Sequence, residues 1–223
     1  MFEVTLTFDN GPEPTVTPHV LDTLRGEDVK ATFFVIGAKL MAARALAERA
    51  VQDGHWLGNH TWTHSVPLGL RREHDAAEQE IGRTEIALGE LSRPERLFRP
   101  FAGKGQGGVL GPTLLSPESV SYLERGRFTC VLWNVVAREW ELPNDWTERA
   151  TELCARRNHA LVVLHDLPNG AMMHLGKFIA NIRRRGGRFR QDFPASAVVI
   201  DRGTATRPLD AFMQRPSPLP TKD

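Results

Sequence analysis

The opening twelve residues constrain this chain more than any other segment. Val4-Thr5-Leu6-Thr7-Phe8 alternates apolar and polar side chains, ends in Asp9 and Asn10, and turns sharply at Gly11-Pro12. A strand that carries two polar side chains to its C-terminal end, just above a turn, is where parallel α/β folds keep their chemistry. The rest of the chain repeats the unit. Ala31-Thr32-Phe33-Phe34-Val35-Ile36 is a continuous apolar run, as expected of a strand buried on both faces. Further strands are expected at His55–Gly58, Leu97–Pro100, Phe128–Val136, Ala160–Leu164 and Ala197–Ile200. Helical periodicity is expected over Thr15–Arg25, Ala38–Gln52, Arg72–Leu91, Pro117–Arg125, Asp145–Arg157 (with Asp145 as cap) and Ala171–Arg185. This βαβα rhythm predicts a mainly parallel sheet wrapped by helices, and the polar strand ends suggest a barrel more than an open sheet.

Composition narrows the partners. The chain has 223 residues, 41% hydrophobic and 25% charged, with a formal net charge of +1. That balance fits one globular domain and argues against nucleic acid or an anionic membrane as the main partner. Arg183-Arg184-Arg185, at a helix end, complements the helix dipole more readily than it binds phosphate. Cys130 and Cys154 lack CxxC spacing and read as buried small residues in a reducing compartment, with a disulfide between them left open. No stretch is long and apolar enough to span a membrane, and no leader precedes the first strand, so the expected location is cytoplasmic and the expected substrate is not intact extracellular peptidoglycan or chitin. One domain is expected over residues 1–203, followed by a Pro-rich disordered tail over 204–223. The Gly-rich stretch Gly103–Gly108 reads equally as a substrate lid or a surface insertion.

His60-x-x-x-His64 places two imidazoles within reach of one metal ion. The pair alone is weak, because eight histidines in a chain of this length produce such spacings by chance. Its position after a short strand strengthens it. A catalytic zinc site commonly adds a carboxylate and an open position, and Asp9 and Asn10 are the candidates, although a lone Asp before Gly-Pro is more often a helix cap. Arg99-Pro100-Phe101-Ala102-Gly103 and Leu164-His165-Asp166 follow at further strand ends.

Taken in order, these segments, together with Ala31–Gly37 and Trp133–Trp140, resemble the polysaccharide deacetylase family, carbohydrate esterase family 4, also called the NodB-homology domain. The resemblance runs from about Val4 to Ile200. It implies a distorted (β/α) barrel of about seven parallel strands, TIM-barrel-like, with the site at the C-terminal mouth. It implies metal-dependent removal of N-acetyl groups from an amino sugar or oligosaccharide, with zinc as the expected ion and cobalt as the alternative. By that resemblance Asp9 is the general base, His60 and His64 are metal ligands, and Arg99 holds the base. The backbone N–H of Ala102 faces the oxyanion, Trp140 lines the substrate site, and His165 is the general acid.

Two positions depart from the family pattern. Asn10 stands where a ligand carboxylate is usual, which lowers the expected metal affinity, although muramic-acid-type members carry Asn there. Val136 stands where the family has the Asp that orients the acid histidine, and Glu139 replaces a second Asp. Asp166 or Glu139 is left as a compensating partner. These departures keep two alternatives open: a carbohydrate-binding member of the fold that has lost catalysis, and a hydrolase of another non-peptide C–N bond.

Overall fold

A computed structural model describes residues 1–102 and 107–214. Among these residues ten strands are formed: β1 (Phe2–Asp9), β2 (Ala31–Val35), β3 (Trp56–Asn59), β4 (Leu97–Phe98), β5 (Thr129–Val131), β6 (Val135–Val136), β7 (His159–His165), β8 (Gly187–Arg190), β9 (Val198–Asp201) and β10 (Thr204–Ala205). Seven helices accompany them: α1 (Thr17–Gly26), α2 (Gly37–Ala42), α3 (Arg44–Gln52), α4 (Arg83–Leu88), α5 (Pro117–Arg125), α6 (Trp146–Ala155) and α7 (Leu175–Arg184). The sheet runs β10-β9-β5-β4-β3-β2-β1-β7-β6. Its seven consecutive strands from β5 to β6 are all parallel, while β9 and β10 pair antiparallel at one edge. The result is a curled, open (β/α) barrel, as expected.

The alternation in β1 separates two environments. Val4, Leu6 and Phe8 pack into the core shared with Val20, Leu21 and Leu24 of α1 and Phe178, Ile179 and Ile182 of α7. Thr5 and Thr7, equally buried, use their hydroxyls: Thr7 donates to the Val162 carbonyl and accepts from Arg99. The upper half of β1 pairs with β2 and its lower half with β8. A strand so enclosed holds its C-terminal side chains in fixed positions, which suits Asp9 to its place.

Several expected elements are corrected. The helix expected over Ala38–Gln52 breaks at Ala43 into α2 and α3. The long helix expected from Arg72 is not helical at 72–75, and it contains a π-helical stretch, Glu78–Gly82, before α4. The strand expected from Phe128 to Val136 is interrupted between β5 and β6, where the Val131 and Leu132 carbonyls turn to the Arg99 guanidinium instead of a ladder. Asp145 precedes α6 but makes no side-chain cap. β8 carried no periodic signal, having one apolar side chain, Phe189. Arg183 pairs with Glu27. Cys130 and Cys154 are both buried free thiols. The segment expected as a tail begins with β10 and continues to a buried Leu209 and a bridge between Met213 and Leu115. Residues 215–223 and 103–106, the latter within the expected lid or insertion, lie outside the described residues. No helix among the described residues is long and apolar enough to cross a membrane.

Candidate active site

One cavity of about 370 Å³ opens at the C-terminal ends of the strands, lined by Asp9, Asn10, His60, His64, Ala102, Trp140 and His165 among others. Asp9 and Asn10 come from the end of β1, His60 and His64 from the loop after β3, and Ala102, Trp140 and His165 from the ends of β4, β6 and β7, so the parallel sheet accounts for their convergence. Arg99 lies behind the wall.

Arg99 follows β4 and is fully buried. Its Nη1 donates to Asp9 Oδ1 at 2.9 Å and to Thr7 Oγ1 at 2.6 Å, while Nε and Nη2 donate to the carbonyls of Val131 and Leu132. Phe34 lies flat beneath the guanidinium, 4.0 Å away. Every side of this cation is therefore compensated, and Asp9 is held by one oxygen. The other oxygen, Oδ2, sits 3.6 Å from His60 Nε2.

His60 is buried, and its Nδ1 donates to the Arg99 carbonyl at 2.8 Å. That bond sets the tautomer and leaves the Nε2 lone pair facing the cavity. Burial lowers the His60 pKa against the opposing Asp9 charge. His64 stacks on Phe101, with ring centroids 3.9 Å apart, and lies 4.9 Å from the His60 ring. Burial, with His60 and His165 nearby, pushes its pKa down to about 2. Both imidazoles are therefore neutral at pH 7. Asn10, at φ +73°, presents a buried Oδ1 that has no hydrogen-bond partner. Leaving such an acceptor unsatisfied costs roughly 1–3 kcal/mol, and a cation shared with the two imidazoles removes that cost. Among the described residues, no group of three or more His, Cys, Asp or Glu side chains is placed to hold a metal ion. The cavity offers two neutral imidazoles and an amide oxygen, a nitrogen-rich set that fits a zinc-like divalent ion and carries no ligand charge.

Across the cavity, His165 Nδ1 lies 2.7 Å from Glu139 Oε1, with the Trp140 ring edge-on at 4.9 Å. Burial opposes charge on His165, but the Glu139 carboxylate, by charge and hydrogen bond, outweighs it with help from Asp9 and Asp166, and the pKa is raised. The partner expected to be missing at Val136 is thus supplied by Glu139. Asp166 turns away: it accepts from Thr17 within the protein, and burial pushes its carboxyl up to about 7. A Cβ on Gly11 would stand 2.7 Å from Asp166 Oδ2, so this turn needs glycine. Val136 lies against Gly108, at the wall where Trp133 Nε1 donates to the Gly108 carbonyl.

The sequence reading missed Glu80, a buried acid whose carboxylate gathers the loop between the two histidines. A signal existed: Glu80 occupies an inward position of its helix, between Ala77 and Thr84, where an unpaired acid is costly.

Comparison with known proteins agrees with this fold. The family model for polysaccharide deacetylases matches residues 2–110. A chitooligosaccharide deacetylase from Bradyrhizobium sp. is 34% identical over 166 residues, which is 73% of this chain and 70% of the relative. A peptidoglycan-N-acetylglucosamine deacetylase from Listeria monocytogenes is 27% identical over 83% of this chain, but this chain spans only 37% of that relative's length. A family 4 acetyl xylan esterase from Clostridium thermocellum, solved with a cobalt ion, superposes with a TM-score of 0.66 at 28% identity, covering 84% of this chain and 87% of that one.

Proposed function

This chain belongs to the polysaccharide deacetylase family, and from that premise we propose that it is a metal-dependent hydrolase that removes N-acetyl groups from an amino sugar in an oligosaccharide or polysaccharide. The observation that carries the proposal is the facing pair in one cavity: Asp9 held by Arg99 on one side, His165 held by Glu139 on the other. A base and an acid, each with its own buried counter-charge, are what two-step proton transfer in amide hydrolysis requires.

His60, His64 and Asn10 would hold the ion, with zinc the favoured identity and cobalt the alternative. Bound there, a divalent ion supplies Lewis-acid polarisation of the acetyl carbonyl and a more acidic water. Asp9 accepts the proton of the attacking water, and Arg99 fixes which carboxylate oxygen faces it. The backbone N–H of Ala102 donates to the developing oxyanion. His165, whose protonated form Glu139 favours, donates to the leaving amine, and Trp140 packs against its ring. Acetate and a free amino sugar result.

Glu139 removes the main ground for a binding-only reading, since that reading drew on an acid histidine without a carboxylate partner. The test is acetate release from chitin-type and peptidoglycan-type oligosaccharides, with chelated protein and with zinc or cobalt restored. Release that depends on the ion and disappears in Asp9→Asn is expected. A folded, metal-loaded protein silent on both substrate types refutes the proposal.

A further inference from the structure

The segment Glu78–Gly82 is wound as a π-helix inside the helical run that ends in α4. π-Turns are rare in helices and recur where function requires a local departure from the α ladder. Here the departure has two visible consequences, both at the histidine loop. The Ile81 carbonyl receives Asn59 Nδ2 at 2.8 Å, which anchors the end of β3 immediately before His60. Asn59 Oδ1 in turn accepts from the Thr61 N–H.

The Glu80 side chain grips the other end of the loop. Its Oε2 accepts from the backbone N–H groups of Trp62 at 2.9 Å and Thr63 at 2.8 Å. Its Oε1 accepts from Thr63 Oγ1 at 2.6 Å and pairs with Arg71. Arg71 also reaches Thr63 Oγ1 and Ser65 Oγ. Both carboxylate oxygens are saturated, and every loop atom they hold lies between or beside the two histidines. His64 itself sits at φ +52°, and Thr61 at +67°, conformations that non-glycine residues hold only when their surroundings impose them.

We propose that Glu80 is a positioning residue: mounted on the π-turn, it holds the His60–His64 loop in the one conformation that aims both imidazoles at a shared ion. Glu80 touches neither the cavity nor an imidazole and acts through the main chain of Trp62 and Thr63. The inference rests on the metal reading given above. Outer partners that orient ligands typically carry about 10–100-fold in metal affinity.

The test is cobalt(II) affinity followed by visible absorption of the bound ion, on the full chain, with thermal stability recorded alongside. Glu80→Ala should lower affinity at least about tenfold and alter the cobalt spectrum. Glu80→Gln keeps an acceptor for both N–H groups and should retain most of the affinity. Trp146→Phe, in the helix layer away from the cavity, serves as a variant of matched lower stability and should bind cobalt as the parent does. If Glu80→Ala fails to fold, Glu80→Asp decides, because a carboxylate one methylene shorter cannot reach both N–H groups. Parent-like affinity in whichever of these two folds overturns the proposal. Equal loss in Trp146→Phe also overturns it, since the effect would then be general loosening. A parent that takes up no cobalt sinks the metal reading itself, and this inference with it.

Discussion

Arg99→Met should be among the most destabilising single changes available in this chain, and the structure indicates by how much. Methionine replaces the buried stem of Arg99 with little change in bulk, so the loss is electrostatic and not a large cavity. It leaves Asp9 without its counter-charge at 2.9 Å and strips donors from Thr7 Oγ1 and from the carbonyls of Val131 and Leu132. Thr7, Val131, Leu132 and Arg99 are buried, so water cannot replace what they lose, and the cavity that Asp9 lines admits water to only one side of its carboxylate. Removing one member of a buried pair costs about 3–5 kcal/mol, a large part of a total stability of roughly 5–15 kcal/mol. The charge component is separable. Asp9→Asn in the Arg99→Met background removes the stranded carboxylate, so the double variant should be more stable than the sum of the singles by about 1–3 kcal/mol. The assay is urea unfolding by tryptophan fluorescence on metal-free protein at pH 7. A single-variant cost below about 1 kcal/mol would refute the buried-pair argument, and strict additivity would remove the Asp9 charge from it.

Glu139→Gln should move the alkaline limb of the turnover profile to lower pH. Glu139 is what lifts the His165 pKa against burial, so without it the acid form is lost sooner, and turnover at pH 8 should fall about 10–100-fold. The same shift has a stability sign: the raised His165 pKa stabilises the fold below its unfolded value and that contribution fades as pH rises through the folded value. The variant should therefore lose stability mainly at pH 6 and below, as read by thermal melts across pH; a uniform loss would contradict the linkage. Val136→Asp should not increase acetate release, because Glu139 already occupies the imidazole nitrogen that a new carboxylate would seek. A several-fold gain in release would show that the Glu139 contact does not operate in solution.

The sequence placed most of the strands along the chain through their apolar runs, and with them the barrel. The candidate site residues came from motifs that are weak singly, the polar pair above Gly11-Pro12 and the histidines four apart, and that gained meaning only as an ordered set resembling one family. In a parallel sheet every strand end points to the same mouth, so locating residues along the chain is enough to bring Asp9, His60, Arg99 and His165 together. What the sequence left open were contacts whose partners are distant in the chain. Val136 and Glu139 stand three residues apart, and only the backbone between β6 and α6, with Arg138 at φ +56°, decides that Glu139 faces His165. The break between β5 and β6 was illegible for a similar reason, since its carbonyls answer to Arg99 and not to a neighbouring strand. The π-turn at Glu80 looks like any helix in periodicity. It exists because Asn59 and the histidine loop, some twenty residues earlier, supply the partners that a regular helix would have refused.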